Sequence, residues 1–569
     1  MNRLFLAFAA VLGVASTNGA SAQNASPASA QNAVPASAQK IGPSTTTEPY
    51  LVPTAAGVSV TSIVTAGDSV EGYRMVGIPD GLGAWLPPTS ALDFLFGRQP
   101  RSFNLVMNHE IGRTLGIPRA HGSKGAFVSQ WTIDRTTLKV LSGRDHMTSP
   151  NDLLTWNGSG YTPGTSALER LCSADLANPS AFGLGPKNRI FLSGEETSPP
   201  FTADHGRIFA HIVDGSDKNK SFELPRLGKM SFENGLANPF PDHKTIVMLQ
   251  DDAGRETNVT AATNVCRTAG QTGCTEAPSE LYMYVGSQKP YGSQIEQAGL
   301  TNGNFYGIRV VLKGQVVTGE NKDFVFASAA PAVTSARFEV VNFGDVSNKT
   351  GVQIQDSAIA NKVMQFVRVE DGAWDPRPGK SRDFYFITTG RISSDATAWR
   401  PSRLWRLRFD SISRPEAGGT IEMLLTNQFY PGAATTPDAD PSFQMLDNMT
   451  IDRLGRIIMQ EDVGGNDRLG RIYVYGIDSG QLVQVARHNP KFFSGGASNP
   501  TFITNDEESS GVIDAAEILR DGWFLATVQA HRASTDVELF ESGQILALFI
   551  DPSIARGRGG ASFLPAPHP

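Results

Sequence analysis

The 569-residue sequence is poor in basic charge, in cysteine and in long hydrophobic runs. Its 49 lysines and arginines are outnumbered by 56 aspartates and glutamates, which gives a formal net charge of −7. A protein that binds DNA or RNA needs a basic face, so this balance argues against nucleic acid as a partner. Beyond the N-terminus no apolar run is long enough to cross a membrane as a helix, which argues against a membrane partner.

The N-terminus has the pattern of a secretion signal. Arg3 precedes the apolar run LFLAFAAVLGVA, and Ala20-Ser21-Ala22 forms a small-x-small cleavage site. Residues 23–47 are rich in Ala, Ser, Gln and Pro, which predicts a disordered linker. We therefore expect a signal peptide over residues 1–22 and one folded domain over residues 48–569. The mature protein is expected to be exported, to the periplasm or outside the cell.

Only three cysteines are present, so their spacing is informative. Cys266 and Cys274 bracket a short turn-like loop, and in an exported protein this spacing favours a local disulfide. Cys172 is left without a partner. A lone cysteine is usually buried and inert, and otherwise serves as a metal ligand or a nucleophile.

Sustained helical periodicity is also scarce, and short β-rich runs separated by turn residues take its place. One unit recurs: a polar pair, a strand, a turn, a second apolar strand that ends in polar residues, and an aromatic-alternating strand. The clearest copies are FENGLANPFPDHKTIVMLQDD, VEDGAWDPRPGKSRDFYFITT, LDNMTIDRLGRIIMQED and ESSGVIDAAEILRDGWFLATVQAH, with looser ones from GIPDGLGAW and LCSADLANP. Six copies predict an all-β fold, a six-bladed β-propeller with inserted loops.

Polar residues recur at equivalent places in these copies. The first strand of each propeller blade lines the central channel, and it begins with an acidic or amide pair in four copies: Glu233-Asn234, Glu370-Asp371, Asp447-Asn448 and Glu508-Ser509. Asp80 and Cys172 occupy this column in the two looser copies. The second strands end in Glu110, Glu195-Glu196, Asp251-Asp252 and Glu461-Asp462. Because neighbouring strands are antiparallel, both sets should converge on one mouth of the channel.

So many carboxylates cannot all ionise at close range without compensation. Oxygen-rich clusters suit Ca²⁺, and a single thiolate among them suits a softer metal such as iron. For any one pair, a turn carboxylate that bonds backbone N–H groups is the commoner explanation. The shared register of the whole set favours a metal cluster instead. His109 and His531 lie at equivalent strand ends, either as ligands or phosphate donors or as structural histidines.

Several of these segments together resemble a known family. MNHE, the Cys172…GEE arrangement, FENG…QDD, VEDGAWDP…FYFITT and ESSG…VQAH are similar, in this order, to PhoX-type alkaline phosphatases. Those are exported β-propeller enzymes that hold calcium ions and an iron pair at one end of the channel. The resemblance implies hydrolysis of phosphate monoesters by a calcium and iron cluster. It implies as metal ligands Glu110, Cys172 on iron, Glu195 or Glu196, Glu233 and Glu370, to which the shared register adds Asp447 and Glu508.

The phosphate-binding side chains cannot be carried over by motif. Arg391 follows FYFITTG at a strand end that faces the site, which suggests a phosphate clamp; a surface loop arginine is the equal alternative. We expect a monomer that binds a small phosphate ester. Two other functions stay open: a calcium-dependent lactonase or esterase that uses Asn234 and Asn448, and a non-catalytic propeller stiffened by calcium.

Overall fold

The computed structural model describes residues 37–89, 96, 99–199, 202–240, 243–252, 279–317, 334–390, 401–427, 442–465 and 468–556. Within these ranges the fold is almost entirely β. Its short α-helices are Gln294–Gln297, Gly351–Ala360 and Pro490–Phe493. Single 3₁₀ turns span Pro150–Asp152, Pro179–Phe182, Pro225–Leu227, Pro415–Ala417 and Gly496–Ser498.

The strands of the first half begin with an N-terminal group: β1 (Ala38–Ile41), β2 (Leu51–Pro53), β3 (Val58–Thr65), β4 (Ser69–Val70) and β5 (Tyr73–Arg74). Blade 1 contains β6 (Pro79–Trp85), β7 (Ser102–His109), β8 (Phe127–Asp134) and β9 (Val140–Asp145). The outer strands β10 (Leu153–Trp156) and β11 (Tyr161–Pro163) join blade 2, which contains β12 (Leu171–Asp175), β13 (Arg189–Glu195), β14 (Ile208–Asp214) and β15 (Ser221–Glu223). Blade 3 contains β16 (Phe232–Ala237), β17 (Lys244–Asp251), β18 (Ser279–Ser287) and β19 (Asn304–Leu312), with β20 (Gln315–Val316) beside it.

The second half repeats this arrangement after β21 (Ser335–Gly344) and β22 (Gln365–Phe366). Blade 4 contains β23 (Val369–Trp374), β24 (Asp383–Thr388), β25 (Arg403–Phe409) and β26 (Gly419–Thr426). Blade 5 contains β27 (Leu446–Ile451), β28 (Arg456–Glu461), β29 (Arg471–Gly476) and β30 (Leu482–His488), edged by β2. Blade 6 contains β31 (Glu507–Asp514), β32 (Trp523–Ala530) and β33 (Ser542–Ile550), completed by β3.

The six blades form a closed ring, which confirms the predicted all-β, six-bladed propeller. The inner strands β6, β12, β16, β23, β27 and β31 each contact the next, and β31 contacts β6. Closure is made by the two ends of the chain, because β3 pairs antiparallel with β33 from Val58↔Ile550 to Thr65↔Gln544. Apolar side chains on the faces of neighbouring sheets pack between the blades, so the inner strands are held rigidly around the channel.

Blades 3 and 4 share a strand that the repeat does not predict. β21 pairs with β19 on one side and with β26 on the other, so both blades belong to a single 11-stranded sheet. The inserted segment between the two blades thus covers two outer edges that would otherwise expose unpaired backbone groups.

The predicted linker boundary at residue 47 is wrong by about ten residues. Strand β1, Ala38–Ile41, pairs parallel with Ser59–Ser62 of β3. Its side chains are mostly exposed, so composition alone does not reveal a strand that backbone hydrogen bonds hold in place. Cys266, Cys274 and Arg391 lie outside the described residues, so the disulfide stays a prediction. No helix in the described ranges is long and apolar enough to cross a membrane.

Candidate metal centre

Each inner strand breaks its pairing with the second strand of its blade at the same place. A β-bulge there sets two residues of the inner strand opposite one residue of the second strand, and a bulge bends the strand and redirects its side chains. The bulged pairs are Asp80-Gly81, Cys172-Ser173, Glu233-Asn234, Glu370-Asp371, Asp447-Asn448 and Ser510-Gly511. Five of the six first residues are acidic or a thiol, so the bulges gather these groups in one ring.

The sixth blade departs from the predicted alignment. Its bulge holds Ser510-Gly511, so the predicted pair Glu508-Ser509 lies two residues out of register. Glu508 still reaches the mouth, because residues two apart on a strand share a face. The Ser510 hydroxyl donates a 2.7 Å hydrogen bond to Glu508 Oε1.

A second ring comes from the ends of the second strands. Its members are Glu110, Glu196, Asp252, Thr389, Asp462 and His531, and each donates its backbone N–H to the carbonyl of the residue that precedes the inner strand of the same blade. Four of those acceptor residues have left-handed backbones without being glycine: Ile78, Arg170, Arg368 and Met445, with φ between 35° and 58°. Such a backbone costs about 1 kcal/mol per residue, and strain of this kind concentrates at functional sites.

Glu195 and Glu196 lie on opposite sides of the chain. Arg207 donates to both Glu195 oxygens at 2.8 Å, and the N–H groups of Glu169 and Arg207 donate at 3.0 and 3.1 Å. Both oxygens of the Glu195 carboxylate therefore have hydrogen-bond donors on the side of the strand that faces away from the channel. Glu196 faces the channel instead, within reach of Cys172 and Glu233. Of the two predicted alternatives, the structure brings Glu196 to the cluster and places Glu195 outside it.

The thiol of Cys172 lies at the centre of the acidic cluster and is buried. Its Sγ is 3.1 Å from Glu233 Oε2 and 3.6 Å from Asp80 Oδ2. Two groups of ligand atoms, each within 4.8 Å of one another, share this sulfur: one adds Asp80 and Glu110, the other Glu196 and Glu233. The predicted column position of Cys172 is therefore observed, in direct contact with the carboxyl groups.

Three cationic side chains of the described residues stand among the acids. Arg170 Nη2 is 2.6 Å from both Glu110 Oε1 and Glu196 Oε2. Arg368 occupies the equivalent place two blades further on and contacts Asp252 and Glu370 at 2.9 Å. Neither arginine was predicted from the sequence. Both directly precede an inner strand, in RLCSA and RVEDG, and an alignment of these two copies would have shown them in one column.

The third cation is His531, which lies between two carboxylates. Its Nδ1 is 2.7 Å from Glu541 and its Nε2 is 3.4 Å from Glu508. Burial lowers the pKa of His531, but these two carboxylates outweigh burial and raise the pKa to about 11. The ring is therefore an imidazolium at neutral pH. His109 is different: it stacks on Phe127 between strands, and burial lowers its pKa to about 3, which makes it structural.

The cluster remains strongly acidic despite these cations. Within the described ranges, nine carboxyl groups share the mouth, namely Asp80, Glu110, Glu196, Glu233, Asp252, Glu370, Asp447, Asp462 and Glu508. Burial and the neighbouring carboxylates raise the pKa of Asp80, Glu233 and Asp447 well above its usual value. Burial also raises the pKa of Glu196 to about 8 and that of Cys172 well above its usual value.

Several buried oxygens of the mouth have no hydrogen-bond partner among the described residues. They are Asp80 Oδ1, Glu370 Oε2, Asn448 Oδ1 and Gln529 Oε1. An unpaired buried oxygen is costly, and one cluster with four of them is unusual. Divalent cations would supply the missing partners and the missing positive charge. The donor set, oxygens around one thiol, therefore fits a hard cation together with a softer one.

A polar layer closes the channel beneath the cluster. Asn448 Nδ2 donates to Ser173 Oγ at 2.7 Å, which joins blade 5 to the opposite blade 2, and Asn234 Nδ2 donates to Asp371 Oδ1 at 2.8 Å. Below this layer the channel opens to the other mouth as a cavity of about 240 Å³. In the described part of the chain, this layer separates the acidic cluster from the other mouth.

A second cavity, of about 420 Å³, adjoins the cluster at its open side. Cluster residues Glu110, Arg170, Asp462, Glu508 and His531 line one part of it. Its remaining walls are Ile78, Gly112, Leu115, Asp506, Phe540 and Glu541. A cavity of this size accommodates a small organic molecule, so we call it the mouth pocket.

One arrangement resembles a serine triad but cannot act as one. Ser509 Oγ is 2.8 Å from His488 Nε2, and His488 Nδ1 is 3.4 Å from Glu507. All three side chains are at most 1% exposed, so no substrate reaches the hydroxyl. These residues bind blades 5 and 6 together.

No protein-family model matches the sequence, and no curated protein is significantly similar to it. Among solved structures, that of Pseudomonas fluorescens PhoX in complex with vanadate, a transition state analogue, has a TM-score of 0.58 at 11% identity, covering 87% of this chain and 95% of that one. The GH93 α-L-arabinofuranosidase of Fusarium graminearum with arabinobiose has a TM-score of 0.36 at 9% identity, covering 86% of this chain and 97% of its own. The first likeness establishes a PhoX-like propeller fold, and the second is too low to carry an argument.

Proposed function

We propose that this protein is an exported hydrolase of phosphate monoesters that works with a calcium and iron cluster at the acidic mouth. One observation carries the proposal: buried carboxyl groups and one thiol converge there with unpaired oxygens, beside a cationic side chain and an open pocket. The resemblance to PhoX-type phosphatases points to the same mouth.

Two overlapping ligand sets would hold the metals. Asp80, Glu110 and Cys172 form one, and Cys172, Glu196 and Glu233 form the other. Glu370, Asp447 and Glu508 lie around them and would complete the coordination of harder cations. When bound, the metal ions would act as Lewis acids that offset the negative charge of the phosphoryl group.

Arg170 is the side chain best placed to hold a phosphoryl oxygen. It lines the mouth pocket, and its side chain is 49% exposed although Nη2 is held by Glu110 and Glu196. Those two ion pairs orient the guanidinium, and a guanidinium presents several donors in a fixed plane to a phosphate. His531 adds a fixed positive charge at the same pocket, because Glu508 and Glu541 keep its ring protonated. Charge stabilisation of this kind is a large part of phosphoryl-transfer catalysis.

The calcium-dependent lactonase is the weaker alternative. In that function Asn234 and Asn448 would serve as calcium ligands. The Asn234 amide is already used, since its Oδ1 accepts from Gly235 N and its Nδ2 donates to Asp371. Asn448 Oδ1 alone is unpaired.

The direct test is turnover by protein that is purified without chelator. We expect hydrolysis of 4-nitrophenyl phosphate at alkaline pH, its loss on treatment with EDTA, and no turnover of aliphatic lactones. Hydrolysis of lactones but not of phosphate esters would move the assignment to the lactonase. Calcium-dependent stability with neither activity would indicate a binding propeller.

A further inference from the structure

The mouth pocket has more room than a phosphoryl group needs. The part that touches the cluster, at Glu110, Arg170 and Asp462, is where the phosphoryl group of a monoester would lie if the proposed function holds. The rest of the 420 Å³ is then left for the alcohol portion of the ester. The chemistry of the outer walls therefore selects the substrate.

The charges of those outer walls are negative. Asp506 and Glu541 lie there, and Glu541 and Glu508 each form an ion pair with His531. Asp506 is only partly buried, and its carboxylate forms no ion pair with a cation in the described part of the chain. A second anionic group on the substrate would meet this carboxylate without compensation, whereas a cation would be attracted to it.

The uncharged walls suit the same kind of group. Phe540 provides an aromatic surface, on which ammonium groups are favoured, and Ile78 and Leu115 accommodate a short alkyl chain. Apolar walls alone would also accept a neutral alcohol, so the carboxylate of Asp506 is the feature that discriminates between the two.

We propose that the mouth pocket selects phosphate monoesters whose alcohol carries a positive charge, as in a phosphorylated amino alcohol, and rejects those that carry a second negative charge. This inference rests on the proposed function. It assigns to Asp506 a role in specificity that is separate from the metal cluster.

Binding can be measured without turnover by calorimetry on the metal-loaded protein, using three phosphonates of matched length. These are 2-aminoethylphosphonate, propylphosphonate and 3-phosphonopropionate, whose far ends are cationic, neutral and anionic. We expect affinity to fall in that order, with at least a tenfold difference between the first and the last. Equal affinities, or tightest binding of the carboxylate, would overturn the inference.

Asp506→Asn isolates the responsible charge because it preserves the shape of the side chain. We expect the ratio of affinities between the cationic and the anionic phosphonate to fall at least threefold in this variant. Glu517→Gln is the matched control, since Glu517 is exposed beyond the far end of β31 and should leave the ratio unchanged. An unchanged ratio in Asp506→Asn would contradict the role of Asp506.

The two proposals fail differently. If 4-nitrophenyl phosphate is hydrolysed but the phosphonates bind without charge preference, the phosphatase assignment stands and the selectivity is wrong. If no phosphonate binds and no phosphate ester is hydrolysed, both are wrong.

Discussion

Glu195 and Glu196 are neighbours in sequence, yet one is bound by Arg207 outside the channel and the other by Arg170 inside it. The strand alternation that separates them also separates two functions. The first carboxylate holds the blade together through four hydrogen bonds, and the second belongs to the acidic cluster.

Replacement of each glutamate by glutamine should therefore have opposite consequences. Glu195→Gln leaves the Arg207 guanidinium without its counter-charge, and we expect the free energy of unfolding to fall by about 3 kcal/mol with metal content unchanged. Glu196→Gln should lower metal content with little loss of stability in the chelator-treated protein. Denaturant unfolding and elemental analysis of both variants provide the measurements; equal effects of the two changes would refute the separation.

Arg170 should determine the affinity for phosphate. Lysine keeps the charge but loses the planar set of donors, so Arg170→Lys is expected to raise the KM for a phosphate ester about tenfold. Arg368→Lys is the matched control, because Arg368 has the same place in its blade and a similar backbone but does not line the mouth pocket. Competitive inhibition by inorganic phosphate should weaken in the first variant and not in the second. A larger effect at Arg368 would transfer the role to it.

Asp175 lies on the far side of the channel from the acidic cluster, and it should make the stability of the protein depend on pH. Its carboxylate accepts a 2.8 Å hydrogen bond from Ala237 N, and burial raises its pKa to about 7. The folded protein therefore holds a proton that the unfolded chain releases near pH 4, so the contribution of Asp175 to stability is fully present below about pH 4 and is lost as pH rises to about 7.

Asp175→Asn removes this proton and keeps the acceptor. Between pH 4 and pH 7 we expect the variant to lose about 2 kcal/mol less stability than the unaltered protein, after allowance for partial exposure. Urea unfolding of the chelator-treated proteins at both pH values measures the difference. Parallel pH profiles for the two proteins would show that the carboxyl group is not protonated in the folded state.

Much of the architecture could be predicted from the sequence, because each blade must bury two apolar faces and therefore repeats its pattern. The column that contains Asp80, Cys172, Glu233, Glu370 and Asp447 followed from that repeat. The bulges themselves leave no composition signal, which is why Glu508 was placed two residues out of register.

The remaining differences arise from contacts between distant segments. Strand β21 bridges two blades, and strand β1 is held by backbone pairing. Neither strand belongs to the repeated sequence unit, so the repeat does not predict them. Arg170 and Arg368 were missed because the acidic pairs were interpreted with metals as their only counter-charges. Each arginine neutralises two carboxylates, and the choice between Glu195 and Glu196 depended on the position of Arg207.

The proposed function depends on whether the excess of buried acid at this mouth holds metal through Cys172. Elemental analysis of the mature protein, purified without chelator beside Cys172→Ala, tests it most directly. We expect calcium and iron in near-integral amounts in the unaltered protein, with iron lost and calcium largely retained in the variant. Absence of bound metal from the unaltered protein would contradict it, and the carboxyl groups would then be protonated structural groups.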